Sequence, residues 1–184
     1  MKKVVDLFKL KYNNIMITNN KRSTLMIKLK AYIFDIDGVV SNPSHRMHLH
    51  SKIIFANNAK EKLKAVDDFV SLSHLDEPFK HVCKVCYEIS VNSQILFLTG
   101  RPEKFREITL EWIEKHLKMN NTWFRLYMKP DGDTTKSVDF KKKVFDEQIS
   151  KMFDVIGVFE DRNETVKMWR DIGLTCFALP SIFD

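Results

Sequence analysis

Four segments of this chain read as buried strands: "KAYIFDI" (30–36), "SQILFLTG" (93–100), "FDVIGVFED" (153–161) and "LTCFAL" (174–179). Three of them are near-continuous apolar runs, the pattern of parallel strands covered on both faces, where an alternating pattern would mark a sheet with one wet side. A fifth segment, "WFRLYMK" (123–129), is more mixed. Helical patterns separate the strands. "PFKHVCKVCYEIS" and "RPEKFREITLEWIEKHLK" each place a Pro where a first helical turn would begin, and the second aligns Phe105, Ile108, Trp112 and Ile113 on one side. "TTKSVDFKKKVFDEQISKMF" follows a polar turn, and "DRNETVKMWRDIG" ends on Gly173, a good helix stop. Strand and helix in alternation predict an α/β fold with a doubly wound, Rossmann-like parallel sheet. Residues 41–77 break the alternation and are expected to form a small, cap-like helical insertion after the first strand.

Charge narrows the partners. The net charge is +6, but residues 1–30 carry eight Lys/Arg and one Asp, while the other 154 residues carry 22 basic and 23 acidic side chains. The basicity therefore belongs to a leader, placed at 1–26 and expected to be flexible, ahead of a domain at 27–184. A basic targeting helix is the rival reading of that leader, since Val4, Val5, Phe8 and Tyr12 lie near helical spacing. No run of eighteen apolar residues predicts a membrane span. Three cysteines with no secretory pattern point to a reducing, cytoplasmic setting. Nothing in the sequence calls for an obligate protein partner.

In an open α/β sheet, ligands bind where the strands end. The first strand ends in Asp35 and Asp37, the second in Thr99, Gly100 and Arg101, the third in Glu160 and Asp161, and a lysine-bearing helix around Lys141 precedes that third strand. Clustered carboxylates repel unless a cation joins them, and an all-oxygen donor set suits Mg²⁺. Thr, Lys and Arg donors suit phosphoryl oxygens. The set fits a phosphate ester and a metal.

"DIDGV", "LTGR", a helical Lys and "FEDR" resemble the four signature motifs of the haloacid dehalogenase-like phosphohydrolases. "SHRM", "MKPDGDTTKSVDFKKKVF" and "EDRNETVKMWRDIGLTCF" further resemble the 3′-phosphatase domain of phage polynucleotide kinase-phosphatase. The resemblance implies that Asp35 is the nucleophile, forming an aspartyl-phosphate. Asp37 would be the acid–base residue and Lys141 the catalytic lysine, with Lys142 and Lys143 as neighbouring candidates. Asp35, the Asp37 carbonyl, Glu160 and Asp161 would serve Mg²⁺. Thr99, Gly100, Arg101 and Arg46, which lies nine residues past Asp37, would bind substrate. The implied activity is a Mg²⁺-dependent phosphomonoesterase acting on phosphorylated polynucleotide 3′-ends or nucleotides. Two positions depart from the pattern: Ser137 stands where the family carries Asp, and Glu160-Asp161 replaces a common Asp-Asp.

Other readings compete. A small-metabolite phosphatase would use the same motifs, and a non-catalytic phosphate- or nucleic-acid-binding module would not need Asp35. A calcium loop fails because Arg46 stands where a bidentate Glu is required. Cys83 and Cys86 lack a second pair and read as helix packing, and His45, His48 and His50 form no evident tetrahedral set. No Gly-x-x-x-x-Gly-Lys-Ser/Thr is present, so a kinase half is not expected.

Overall fold

A computed structural model describes residues 28–183. The leader expected at residues 1–26 lies outside them. Five strands form one parallel sheet: β1 (Leu29–Phe34), β4 (Gln94–Pro102), β5 (Phe124–Lys129), β6 (Phe153–Glu160) and β7 (Cys176–Ala178). Their order across the sheet is β5-β4-β1-β6-β7. The chain winds outward from β1 through β4 to β5, then returns to β6 on the other side of β1. That reversal places the switch point at the carboxyl end of β1, between β4 and β6. The expected doubly wound sheet is present, with all five strands near their predicted places.

Period-two alternation divides the core. Ala31 and Ile33 of β1, with Leu96 and Leu98 of β4, face α5 (Ser137–Val144) and α6 (Asn163–Asp171), where Phe140, Val144, Val166 and Trp169 pack. Phe34, Ile95 and Phe97 face the opposite layer, α3 (Lys80–Ser90) and α4 (Arg106–Leu117), and meet Cys83, Cys86, Trp112 and Ile113. The two cysteine side chains are thus core packing, as free thiols. Burial on both faces explains why the strand sequences carry so few polar residues.

The two prolines expected in first helical turns lie outside the helices. Pro78 pairs with Ser41 in a two-residue ladder that joins β2 (Ser41–Asn42) to β3 (Glu77–Pro78). Pro102 has φ −62° and ψ 147° and ends β4, where it pairs with Lys129 before a 3₁₀ turn leads into α4. The fixed φ of proline suits an extended strand end as well as a helix start. After α5 the helix widens into a π-type turn over Phe145–Ile149.

Residues 41–77 form a helical hairpin, α1 (Met47–Ile54) and α2 (Ala59–Ser71). Asn58 caps α2 by accepting from the Glu61 amide at 2.9 Å, and the Glu61 carboxylate accepts from the Asn57 amide at 3.0 Å. The β2–β3 ladder closes the base of this insertion above the end of β1.

Trp169 is fully buried and packs edge-on against Phe145, with ring centroids 5.5 Å apart. Trp169→Ala should cost about 3–5 kcal/mol, read as a lowered midpoint in urea unfolding. A change below about 1 kcal/mol would show that α6 is not anchored there.

Candidate active site

The turn after β1 builds the first part of the site. Asp35 still belongs to the ladder, its amide donating to the Phe159 carbonyl at 3.0 Å. The chain then folds back: the amides of Val40 and Ser41 both donate to the Ile36 carbonyl, and the Gly38 amide donates to that of Ser41. Gly38 adopts φ +87°, a conformation that costs a side-chain-bearing residue about 1–2 kcal/mol. A Cβ there would lie 2.0 Å from Asp161 Oδ2. Glycine is therefore required twice, for the turn and for the carboxylate leaning over it.

Lys141 is the lysine that enters the site. It is buried, and its Nζ lies 3.1 Å from Asp35 Oδ2 and 2.7 Å from Glu160 Oε2. Lys142 and Lys143 are exposed, and Lys142 pairs with Asp146. Burial works against the Lys141 charge, but Asp35 and Glu160 outweigh it and hold the ammonium above its ordinary proton affinity.

Asp35, Glu160 and Asp161 are buried, with carboxylate oxygens within 4.8 Å of one another. They are not equivalent. Glu160 accepts from Lys141, and its other oxygen accepts from the amides of Asp161 and Arg162 at 3.2 and 3.3 Å. Both oxygens of Asp161 are buried with no hydrogen-bond donor. An unpartnered buried carboxylate beside two others is what a hard cation would satisfy. Burial, then repulsion by Asp35 and Glu160, pushes the Asp161 carboxyl up to about 8. Burial raises Asp35 to about 7, with Lys141 opposing and Glu160 and Asp37 adding to it.

Asp37 has the opposite environment. Burial alone would raise its proton affinity, but Arg101 and Arg46 hold it well below the usual carboxylate range. Arg101 Nε and Nη2 donate to its two oxygens at 3.0 and 2.6 Å, and Arg46 Nη2 donates at 2.5 Å. Arg46 also donates to Asp76 from Nε at 2.8 Å and from Nη2 at 2.6 Å, and its guanidinium lies 4.0 Å over the Phe69 ring. Asp76 further accepts from Ser41 and His45, and its backbone carbonyl accepts from Trp112 Nε1 at 2.7 Å. Arg46 thus meets the site through Asp37 and does not line the open cleft.

Asp76 was absent from the residues expected on sequence grounds. It stands 30 residues from Arg46 with no motif around it. The one signal that could have found it is charge balance, since two arginines buried near Asp37 need a second carboxylate.

A cleft of about 490 Å³ opens over Asp35, Asp37, Thr99, Gly100 and Arg101. Its wall on the insertion side is mostly apolar, made by Ile53, Ile54, Val66, Phe69 and Val70 with Phe183, with His50 and Lys62 also lining it. The other side carries Lys129, Lys136 and Ser137, and the Arg162 guanidinium lies 4.3 Å over the Phe183 ring. Thr99 is buried, and its Oγ1 accepts from the Arg101 amide at 3.3 Å.

The family model for the polynucleotide kinase PNKP phosphatase domain matches residues 29–181. The chain belongs to this family. Its haloacid dehalogenase-like fold accords with the resemblance drawn from the motifs. A protein of Autographa californica nuclear polyhedrosis virus, described as a bifunctional polynucleotide kinase/RNA ligase, is 28% identical over 155 residues, which are 84% of this chain and 19% of that one. A chain of the Pnkp1/Rnl/Hen1 RNA repair complex superposes with a TM-score of 0.65 at 24% identity, covering 97% of this chain and 54% of that one. CbbY from Rhodobacter sphaeroides, solved with phosphate, gives a TM-score of 0.55 at 12% identity, covering 84% and 88%. This chain therefore spans about a fifth of the viral relative and about half of the repair-complex chain.

Asp76→Ala should destabilise the fold by about 3–5 kcal/mol, because it leaves two buried guanidinium groups sharing Asp37 alone. Asp76→Asn, which keeps the shape and one acceptor, should cost less. Equal midpoints for wild type and Asp76→Ala in urea unfolding would show that the pair contributes nothing. Gly38→Ala should both destabilise the fold and displace Asp161. Its melting temperature should fall below that of the wild type.

Proposed function

We propose that this domain is a Mg²⁺-dependent phosphomonoesterase that removes phosphate from polynucleotide 3′-ends through an aspartyl-phosphate on Asp35. The observation that carries the reading is the buried Asp35–Glu160–Asp161 cluster, with bare Asp161 oxygens, of which Asp35 lines a cleft fringed by cations. Asp35 and Asp161, with Glu160 beside them, would hold the ion. When bound, it would offset the clustered negative charge and draw electron density from the phosphoryl group. Lys141 orients Asp35 and Glu160 and keeps a positive charge next to the nucleophile. Asp35 attacks phosphorus, and the bond to the leaving oxygen breaks. Asp37, in its ionised form, takes a proton from the water that hydrolyses the acyl phosphate, and the proton it then holds is the one delivered to the leaving oxygen of the next turnover. The Arg46–Arg101 clamp favours the ionised, base form of Asp37.

The substrate class rests on the two walls of the cleft. A nucleotide has a flat, apolar base and an anionic phosphate, which suit the Ile53–Phe69–Phe183 side and the lysine side. A sugar phosphate offers hydroxyls all round, and the apolar wall would leave these unpaired. The names of the polynucleotide kinase/RNA ligase and RNA repair relatives support the same class. Because Pnkp1 is described in a complex with Rnl and Hen1, a partner-assembled state is another form to assay. No helix among the described residues is long and apolar enough to cross a membrane.

A phosphate-release panel tests this function. A 3′-phosphorylated oligonucleotide should be turned over with higher kcat/KM than a 5′-phosphorylated one or a sugar phosphate, and equal efficiency on all three would favour a small-metabolite enzyme. Asp35→Asn should abolish release while the melting temperature holds.

The raised proton affinities of Asp35 and Asp161 give a metal-linked pH dependence. Their folded values, about 7 and about 8, lie above the ordinary 3.8. The protonated forms are therefore favoured in the folded state. In chelator, this stability is present below about pH 4 and is lost as pH rises through about 8. Added Mg²⁺ should raise the melting temperature increasingly over the same window, because it binds the ionised ligands. A Mg²⁺ effect that does not vary with pH would count against Asp35 and Asp161 as its ligands.

A further inference from the structure

Beside the main cleft runs a second groove of about 210 Å³, between α2, the end of β4 and the turn at 130–134. Lys62, Val66, Gly100 and Lys129 line both spaces. The two are thus one continuous channel, and two lysines from different elements stand at the junction. Lys62 comes from the insertion and has no carboxylate within ion-pair distance among the described residues. Lys129 comes from the end of β5, donates to the Thr135 carbonyl and lies 3.9 Å from Asp133. Burial lowers the Lys129 proton affinity; Asp133 opposes this and Lys62 adds to it. An anion placed between the two ammonium groups would relieve their repulsion.

We propose that the channel is a strand track: the phosphodiester upstream of the reacting 3′-phosphate sits between Lys62 and Lys129, and the chain continues along the second groove toward Lys104. This rests on the phosphatase reading above and extends it. The reacting phosphate occupies the Asp35–Thr99–Gly100 end. The next anion site lies across Gly100 from it, and Val66, Leu63 and Pro102 give apolar cover to the sugar and base between them. Only a ligand with repeating phosphates fills both anion sites; a mononucleotide or sugar phosphate reaches the first alone. Lys104, held by Asp67 at 2.6 Å, marks the far end.

The test compares kcat/KM on a 3′-phosphorylated mononucleotide, dinucleotide and longer oligomer, each divided by the value on p-nitrophenyl phosphate. Wild type should show a step between mononucleotide and dinucleotide. Lys62→Glu should remove it and flatten the salt dependence of oligomer turnover by about 1 in log–log slope, whereas Lys62→Arg should keep it. A step that survives Lys62→Glu, or no step in wild type, overturns the track. Absence of phosphate release from every substrate would overturn the phosphatase reading instead. Fluorescence anisotropy of the same oligomers on Asp35→Asn protein then decides the track. Binding that tightens from mononucleotide to dinucleotide, and loses this gain with Lys62→Glu added, supports it. Length-independent binding refutes it.

Discussion

The structure turns on a charge imbalance at the carboxyl end of its sheet. Five carboxylates meet there, from Asp35, Asp37, Asp76, Glu160 and Asp161, against three buried cations, Arg46, Arg101 and Lys141. The arginines satisfy Asp37 and Asp76, and Lys141 bridges Asp35 and Glu160. The remainder is two negative charges, the charge of one divalent cation. Asp35 and Asp161 are the groups whose proton affinities climb to about 7 and about 8, so without a cation two protons would offset the same charge. On the proposed metal reading, ion binding and protonation would be alternatives at one site.

The sheet makes this concentration of charge tolerable. Apolar strands buried on both faces bring three loops to one point and fix them, so the repulsion is borne by a rigid frame. Gly38 shows how tight the arrangement is: its missing side chain is the space that Asp161 occupies. The acidic pair at the end of β1 is divided in proton affinity by its neighbours rather than by its own chemistry. Asp35 faces Lys141 and other carboxylates, and Asp37 faces two guanidinium groups.

Much of this was legible in the sequence, and the rest was not for identifiable reasons. The β-strands announced themselves because double-sided burial leaves few polar residues. That Asp35, Asp37, Glu160 and Asp161 would meet was legible because the ends of such strands are where carboxylates are conspicuous, whereas Lys141, on α5, was placed beside them only by the motif resemblance. The helix starts after Pro78 and Pro102 were misjudged because proline fits a strand end equally well. Asp76 left no local trace, since its partners Arg46 and Arg101 lie 30 and 25 residues away in sequence and meet it only through the fold. Arg46 was conspicuous, but its contact was not: spacing showed an arginine near the site, and only the packing of α2 showed its guanidinium turned to Asp37 and Asp76 over Phe69.

That packing also constrains how substrate gets in. Arg46 belongs to the insertion and Arg101 to the core sheet, and both hold Asp37. Asp76 joins Arg46 to Ser41, while Trp112 of α4 donates to its backbone carbonyl. The Phe79 amide donates to the Val40 carbonyl at 2.8 Å beside the β2–β3 ladder. Swinging the insertion away would break buried ion pairs, each costly once one partner is left alone. A lid that opened this way would also release the clamp that sets the Asp37 proton affinity, so access and acid–base chemistry would be coupled. The cleft between the apolar wall and the lysines needs no such motion. A strand end, the substrate proposed above, would reach Asp35 along it with the Arg46–Asp37–Arg101 arrangement intact.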